Sequence, residues 1–256
     1  MIGDSFVEGA QLSNKDTIGE VIASKAKDIN VYQLGVPGVP IAQFIHMVRY
    51  AEKEFQPKNY LIVITSNDFD ESICEYRINL GAWCFNDNFK LKFVPFEGHG
   101  LIRKIAQNSA FLRYIVFNLN IDWRLFIRTD DGVNNIDKYA GNTERIKSKV
   151  LVDSSKKVIE SFFEFIKKMK LNDKVTLIVD TDRQDIYGQK YTDSYFRDMR
   201  SFLKKMAVIN QVTIIDLEEV FMEDFNNYGK RFEFPTDGHW NKRAHRLAAE
   251  AYLNKQ

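Results

Sequence analysis

The residue types that acyl-transfer chemistry uses stand at widely separated points of this 256-residue chain. Ser5 lies in the opening stretch "MIGDSFVEGAQ", behind only two apolar residues and a Gly-Asp turn. Gly35 and Gly38 bound "GVPG", Asn67 and Asp68 close "TSND", and Asp237 and His239 share "TDGHWN" near the C-terminus. A serine hydroxyl is a poor nucleophile at neutral pH and needs a base within hydrogen-bond reach. A histidine is that base when a carboxylate fixes its tautomer. Backbone N–H groups of a Gly-rich turn and a side-chain amide can hold the oxyanion that develops. Taken singly, each residue has a plainer reading. Ser5 could cap a helix, the glycines could serve tight turns, Asn67 and Asp68 could form a local turn, and His239 could be structural. The ordered combination shifts the weight towards nucleophile, oxyanion donors, base and base-orienter.

For these residues to meet, the elements that carry them must end on one edge. Beyond the short apolar start, four segments read as buried strands, being short, β-branched and bounded by turns. They are 29–34 ("INVYQL"), 59–65 ("NYLIVIT"), 174–180 ("KVTLIVD") and 211–217 ("QVTIIDL"). Helical periodicity falls between them, over 17–27, 41–55, 154–170 and 194–207, and again over 241–254. Alternating strands and helices predict an α/β fold: a flavodoxin-like three-layer α/β/α sandwich on a mostly parallel five-stranded sheet. Near-continuous apolar strands suit a sheet buried on both faces. The rhythm breaks over about 69–150, which reads as a long insertion after the third strand of a single domain. Within it, 83–100 suggests a hairpin, 101–127 one or two aromatic-rich helices, and 128–144 a polar loop. In an open parallel sheet, functional groups collect past the carboxyl ends of the strands. Each candidate above follows a strand, Asp237 and His239 beyond a short helix after the fifth. "DTDRQD" follows another, which offers Arg183 as a substrate contact against the plainer reading of a solvated loop.

On these blocks the chain resembles the SGNH hydrolases, also called the GDSL lipase/esterase superfamily. "GDSFVEG" matches the family's first block and "QLGVPG" its second. "TSND" meets the Gly-x-Asn-Asp of the third, and "DGHWN" meets the final Asp–His block. The resemblance runs from residue 3 to 241 with block order kept. It implies Ser5 as nucleophile, Asp237 and His239 as its triad partners, and an oxyanion hole of Ser5, Gly38 and Asn67, with Gly35 a neighbour. It departs from the pattern twice: Thr65 stands where the third block has glycine, and Asp237 precedes His239 by two positions rather than three. The implied activity is hydrolysis of an O-acyl ester through an acyl-enzyme. The "DGHWN" ending leans towards a short acyl group such as acetyl, carried on a carbohydrate. An O-acyltransferase using the same triad, or a non-catalytic carbohydrate- or partner-binding module, are the alternatives. Asp68, Arg183 and His99, the last in "EGHG" within the insertion, are candidates for substrate contact.

Composition narrows the partners. Lys plus Arg number 36 against 35 Asp plus Glu, a net charge of +1, so no global field recruits nucleic acid or anionic membrane. The expected partner is a small-molecule or carbohydrate ester; oligomeric state is left open. No apolar run in the given chain reaches membrane-spanning length. A metal site of Asp4, Asp68 and His239 lacks any supporting spacing, and the reading assigns neither metal nor cofactor. His46 reads as packed or exposed on its helix, and His245 as lying at the surface of the last one. Cys74 and Cys84 make no metal-type motif and read as free buried thiols in preference to a disulfide, which requires an oxidising compartment. The two-residue first strand leads to the expectation that the natural polypeptide continues upstream with further strand residues. An extracytoplasmic location accompanies that continuation, and a cytoplasmic one its absence.

Overall fold

Buried aliphatic runs become strands where a neighbour can pair with them, and the order of pairing decides where the chain's turns gather. A computed structural model of the chain describes residues 1–26, 29–76, 81–95, 148–188 and 194–255. Strand β1 (Ile2–Gly3) leads into helix α1 (Ser5–Glu8), then α2 (Ile18–Lys25), β2 (Leu34–Gly35), α3 (Ile41–Glu54) and β3 (Tyr60–Ile64). A hairpin of β4 (Ala82–Phe85) and β5 (Leu91–Val94) follows. Then come α4 (Lys149–Lys168), β6 (Val175–Val179), α5 (Arg183–Ile186), α6 (Tyr195–Ile209) and β7 (Thr213–Asp216). The chain closes with α7 (Leu217–Tyr228), the short hairpin β8 (Glu233–Phe234) and β9 (Asp237–Trp240), and α8 (Lys242–Leu253).

The central sheet has five parallel strands in the order β2-β1-β3-β6-β7. Its middle strands are wholly buried: β3 reads Tyr-Leu-Ile-Val-Ile and β6 Val-Thr-Leu-Ile-Val, with every residue inside. Both faces are covered. On one, α3, α4 and α6 supply Phe44, Ile45, Val48, Phe162, Phe196 and Leu203 to a core with Ile62 and Leu177. On the other, α1, α2, α7 and α8 pack Phe6, Ile22, Phe221 and Ala248 against Val63 and Ile178. In α3 the buried residues Ile41, Phe44, Ile45, Val48 and Ala51 recur at the three-and-four spacing of one helix face. The chain steps from β1 outward to β2, then back across β1 to β3. Right-handed crossovers place helices on opposite faces when the direction of travel reverses. The reversal falls between β1 and β3, and the carboxyl ends of strands at such a reversal are where open α/β sheets hold ligands.

Several details differ from the sequence reading. The segment 29–34 pairs only at Leu34–Gly35, because the ladder from its neighbour β1 begins at Met1, whose N and O meet Tyr32 O and Leu34 N. Helix α4 starts five residues earlier than its periodicity suggested, as Ser148 accepts from Leu151 N at 3.3 Å and caps it. "TDGHW" belongs to a hairpin that the sequence reading did not include: Pro235 and Thr236 turn β8 into β9, which carries Asp237 and His239. Cys74 and Cys84 are disulfide-bonded, with Cα atoms 5.1 Å apart. Their segments run side by side, as Phe85 N donates to Ser72 O at 2.7 Å and Ile73 bridges Phe85. That proximity brings the sulfurs within bonding geometry, and ten residues of spacing could not reveal it. His99 and the helical patterns of 101–127 lie outside the described residues. The described start of the insertion leaves the Asn67 turn and packs on the first turns of α3, where Ala42 N donates to Ser72 Oγ and Trp83 N to Gln43 Oε1.

Candidate active site

The first decision about Ser5, cap or nucleophile, turns on Asp4. Asp4 is the cap of α1: its Oδ1 accepts from Phe6 N at 2.9 Å. Ser5 is therefore the first helical residue, and its hydroxyl points outward to a different partner. His239 Nε2 lies 2.8 Å from Ser5 Oγ. The other ring nitrogen, Nδ1, bonds Asp237 Oδ1, and the same oxygen accepts from His239 N at 3.0 Å. Asp237 Oδ2 accepts from Gln11 Nε2 at 3.1 Å. Serine, imidazole and carboxylate thus form one unbroken hydrogen-bonded path across 234 residues of sequence.

Each member is held by a rigid element. Gly35 faces Gly3 across the β1–β2 ladder, and a Cβ on Gly35 would lie 2.2 Å from Glu8 N and 2.6 Å from Glu8 Cα. Only glycine lets α1 settle this close to the strand, which sets the height of Ser5. Gly35 is thus a packing residue; Gly38, with φ 64°, makes the left-handed turn in the loop from β2 to α3. His239 is held from behind by Phe6, whose ring centroid is 5.0 Å away. The strand bearing it is anchored by Arg183, which donates to Gly238 O at 2.8 Å. Arg183 is 1% exposed and lies between Asp180 and Glu233, with Tyr187 also donating to Glu233 at 2.6 Å. Its guanidinium faces the core, so it does not stand where a substrate would arrive. Asp68 is likewise wholly buried. His46 is exposed and stacks on Trp83.

His245 is a correction too. It is 1% exposed, and its Nδ1 accepts from Ile18 N at 3.1 Å, which caps α2 in place of Thr17. A surface position was expected from the polar face of "NKRAHRLAAEAYLN", but α8 packs on α2 along that line. Only a neutral ring can accept there, and burial, with the charge of His239 adding to it, pushes His245 down to about 4.

Beneath the path lies a cluster that sequence reasoning did not find. Thr65 Oγ1 is 3.3 Å from Asp4 Oδ2, 3.1 Å from Asn67 Oδ1 and 3.2 Å from Asp68 Oδ2. Thr65 N donates to Asp68 Oδ2 at 2.6 Å, closing a box around the turn that carries Asn67. Burial pushes Asp4 up to about 6, against the lowering pull of Phe6 N, His239 and Thr65. Burial and the neighbouring Asp4 push Asp68 well above the usual carboxylate range. Asp237 differs: burial alone would raise it, but the His239 N–H, the imidazole and Gln11 together hold it below the usual range.

The Asp4 shift has a measurable sign. The folded protein keeps that proton to about pH 6, whereas an unfolded chain releases it near pH 4. Stability from this group is complete below pH 4 and is lost as pH rises through 6, by about 2–3 kcal/mol. Asp4→Asn keeps a capping side chain without the charge. Its urea midpoint is expected to exceed that of the parent at pH 8 and to lose the advantage by pH 4. A variant no more stable than the parent at pH 8 contradicts this account.

The architecture is a flavodoxin-like α/β/α sandwich with a serine–histidine–aspartate path at the carboxyl edge of its parallel sheet. Among solved structures it is similar to a lipolytic protein of the G-D-S-L family from Veillonella parvula DSM 2008. That likeness has 13% identity and a TM-score of 0.49, over 98% of this chain and 93% of the other. It is also similar to LAE5, an alpha/beta hydrolase from the metagenome of Lake Arreo, Spain, at 12% identity and a TM-score of 0.48 over 98% and 91%. No family model and no curated protein matches the chain. Likenesses this distant leave the reading of the site to its own geometry.

Proposed function

We propose that the chain is a serine esterase that cleaves an O-acyl ester through an acyl-enzyme on Ser5. The observation that carries this reading is the hydrogen-bonded path from Ser5 Oγ through His239 to Asp237. In the proposed reaction, Ser5 Oγ attacks the acyl carbon while His239 Nε2 takes its proton. The imidazolium then gives that proton to the leaving alcohol oxygen. Water, deprotonated by the same nitrogen, releases the acid from Ser5. Asp237 holds the ring in the tautomer that leaves Nε2 free to accept and stabilises the charge that forms on it. The backbone N–H groups of Ser5 and Gly38, with the Asn67 amide, receive the oxyanion. A short acyl group, acetyl first, on a carbohydrate acceptor is the proposed substrate, supported by the resemblance of "DGHWN".

A fluorophosphonate tests the nucleophile directly, since it phosphonylates an activated serine. The expected result is one adduct per chain on the peptide containing Ser5, with loss of p-nitrophenyl acetate hydrolysis in step. Hydrolysis that survives full labelling of Ser5, or an adduct elsewhere, overturns the reading. Asp237→Asn is expected to lower kcat by roughly 10⁴-fold, less than loss of Ser5 or His239, because Asp237 orients and polarises without bonding to substrate. A steady-state assay on that variant checks it; unchanged kcat removes Asp237 from the triad.

A further inference from the structure

Thr65 stands where the Gly-x-Asn-Asp block has glycine, and its hydroxyl touches both turns that the proposed reaction depends on. It is 1% exposed. On one side Asp4, the cap of the helix that starts with Ser5, offers Oδ2 at 3.3 Å. On the other, Asn67 Oδ1 lies at 3.1 Å and Asp68 Oδ2 at 3.2 Å. A hydroxyl has one hydrogen to donate and two lone pairs. If both carboxyls were ionised, two of its three oxygen neighbours would face it with no hydrogen between them. Asp4 Oδ1 accepts from Phe6 N and Asp68 Oδ2 from Thr65 N, while Asp4 Oδ2 faces Thr65 Oγ1. A proton on one carboxyl of the buried pair adds a second hydrogen at Thr65 Oγ1, so that two of the three neighbours are bonded to it rather than one. The bond to Asn67 occupies the oxygen end of that amide. Its N–H₂ end is then turned away from Thr65, as an oxyanion donor requires.

We infer that Thr65 is a positioning residue: its hydroxyl joins the Ser5 turn to the Asn67 turn and sets which end of the Asn67 amide faces the reacting centre. This rests on the esterase reading for its consequence, though the link itself is structural. Without the hydroxyl, the amide loses a donor that holds its oxygen on the Thr65 side, and a carbonyl oxygen can present itself where a donor is needed. Threonine to valine keeps shape and removes only the hydrogen bonds. Serine keeps the hydroxyl and removes a methyl group.

The test compares Thr65→Val, Thr65→Ser, Asn67→Ala and the double variant Thr65→Val/Asn67→Ala, each checked for the parental fold by circular dichroism. Thr65→Val is expected to lose about ten- to a hundredfold in kcat with KM within about twofold, since it misdirects a donor without deleting it. Thr65→Ser should stay within about threefold of the parent. The double variant should lose no more than Asn67→Ala alone, because Thr65 acts through Asn67. Independent, multiplying losses overturn the inference, as does a folded Thr65→Val enzyme with parental kcat. The Asn67 side-chain amide signals in NMR read the link without turnover. Two sharp, ordered Nδ2–H signals in the parent should broaden or shift in Thr65→Val and persist in Thr65→Ser. If they do so in a protein that hydrolyses nothing, the esterase reading falls and the link stands. If they are unmoved by Thr65→Val, the link falls whatever the activity.

Discussion

Ser5→Ala is expected to remove ester turnover by about five orders of magnitude while leaving the fold intact, and His239→Ala to do the same. The hydroxyl of Ser5 meets His239 and is not the cap of α1, a task that Asp4 performs. Its loss should therefore shift the melting temperature by only a few degrees. His239 is partly exposed and contributes ring contact with Phe6, so its removal costs some packing and still leaves the α8 and β6 cores untouched. The two losses should not multiply. Once the base is gone the hydroxyl cannot be activated, and once the hydroxyl is gone the base has nothing to activate. Titration with p-nitrophenyl acetate, using enzyme concentrations high enough to see a residual rate, measures each single variant and the double. A Ser5→Ala enzyme with more than about a tenth of parental kcat would sink the serine mechanism.

The second large effect lies outside the chemistry. Gly35→Ala places a methyl carbon 2.2 Å from Glu8 N and 2.7 Å from Val7 C, both backbone atoms of the helix that starts with Ser5. A side chain could swing aside; a helix backbone cannot. Either β2 and α1 separate, at a cost of about 3 kcal/mol in overpacking, or α1 shifts and carries Ser5 off His239. Both outcomes are visible. Urea denaturation should show a lower midpoint, and kcat should fall even in the folded fraction, since a displacement near 1 Å breaks a 2.8 Å hydrogen bond. A Gly35→Ala protein with the parental midpoint and parental kcat would show that the contact is not tight.

Much of the sheet could be read from the chain because parallel strands buried on both faces leave a simple trace. "YLIVI" and "VTLIV" have no polar face to confuse with a helix, and the amphipathic stripe of α3 is equally direct. The location of Ser5 and Asn67 after strands was legible for the same reason: turn residues interrupt apolar runs. What escaped depends on pairing between distant segments. Glu233 is buried because Arg183, fifty residues earlier, meets it. No local pattern marks that partnership, so Arg183 read as a solvated or substrate-facing residue. His245 looked exposed among Lys242, Arg243 and Arg246, and only the approach of α2 turns it inward. Gln11 bonds Asp237 from a loop with no motif at all. Thr65 was noticed as a departure from a pattern, but its three oxygen neighbours come from two separate turns.

The disulfide has a practical corollary. Cys74 and Cys84 close a ring of backbone directly after the turn that carries Asn67, and Cys84 belongs to the hairpin lying on α3. A preparation made in a reducing cell interior and one made in an oxidising compartment would share every residue and still be two different molecules. In one, the stretch leading from Asn67 is stapled to its neighbour; in the other, it is held by hydrogen bonds and packing alone. Thiol content is therefore as much a part of this protein's specification as its sequence. Samples compared for activity should first be matched by mass to the loss of two hydrogens.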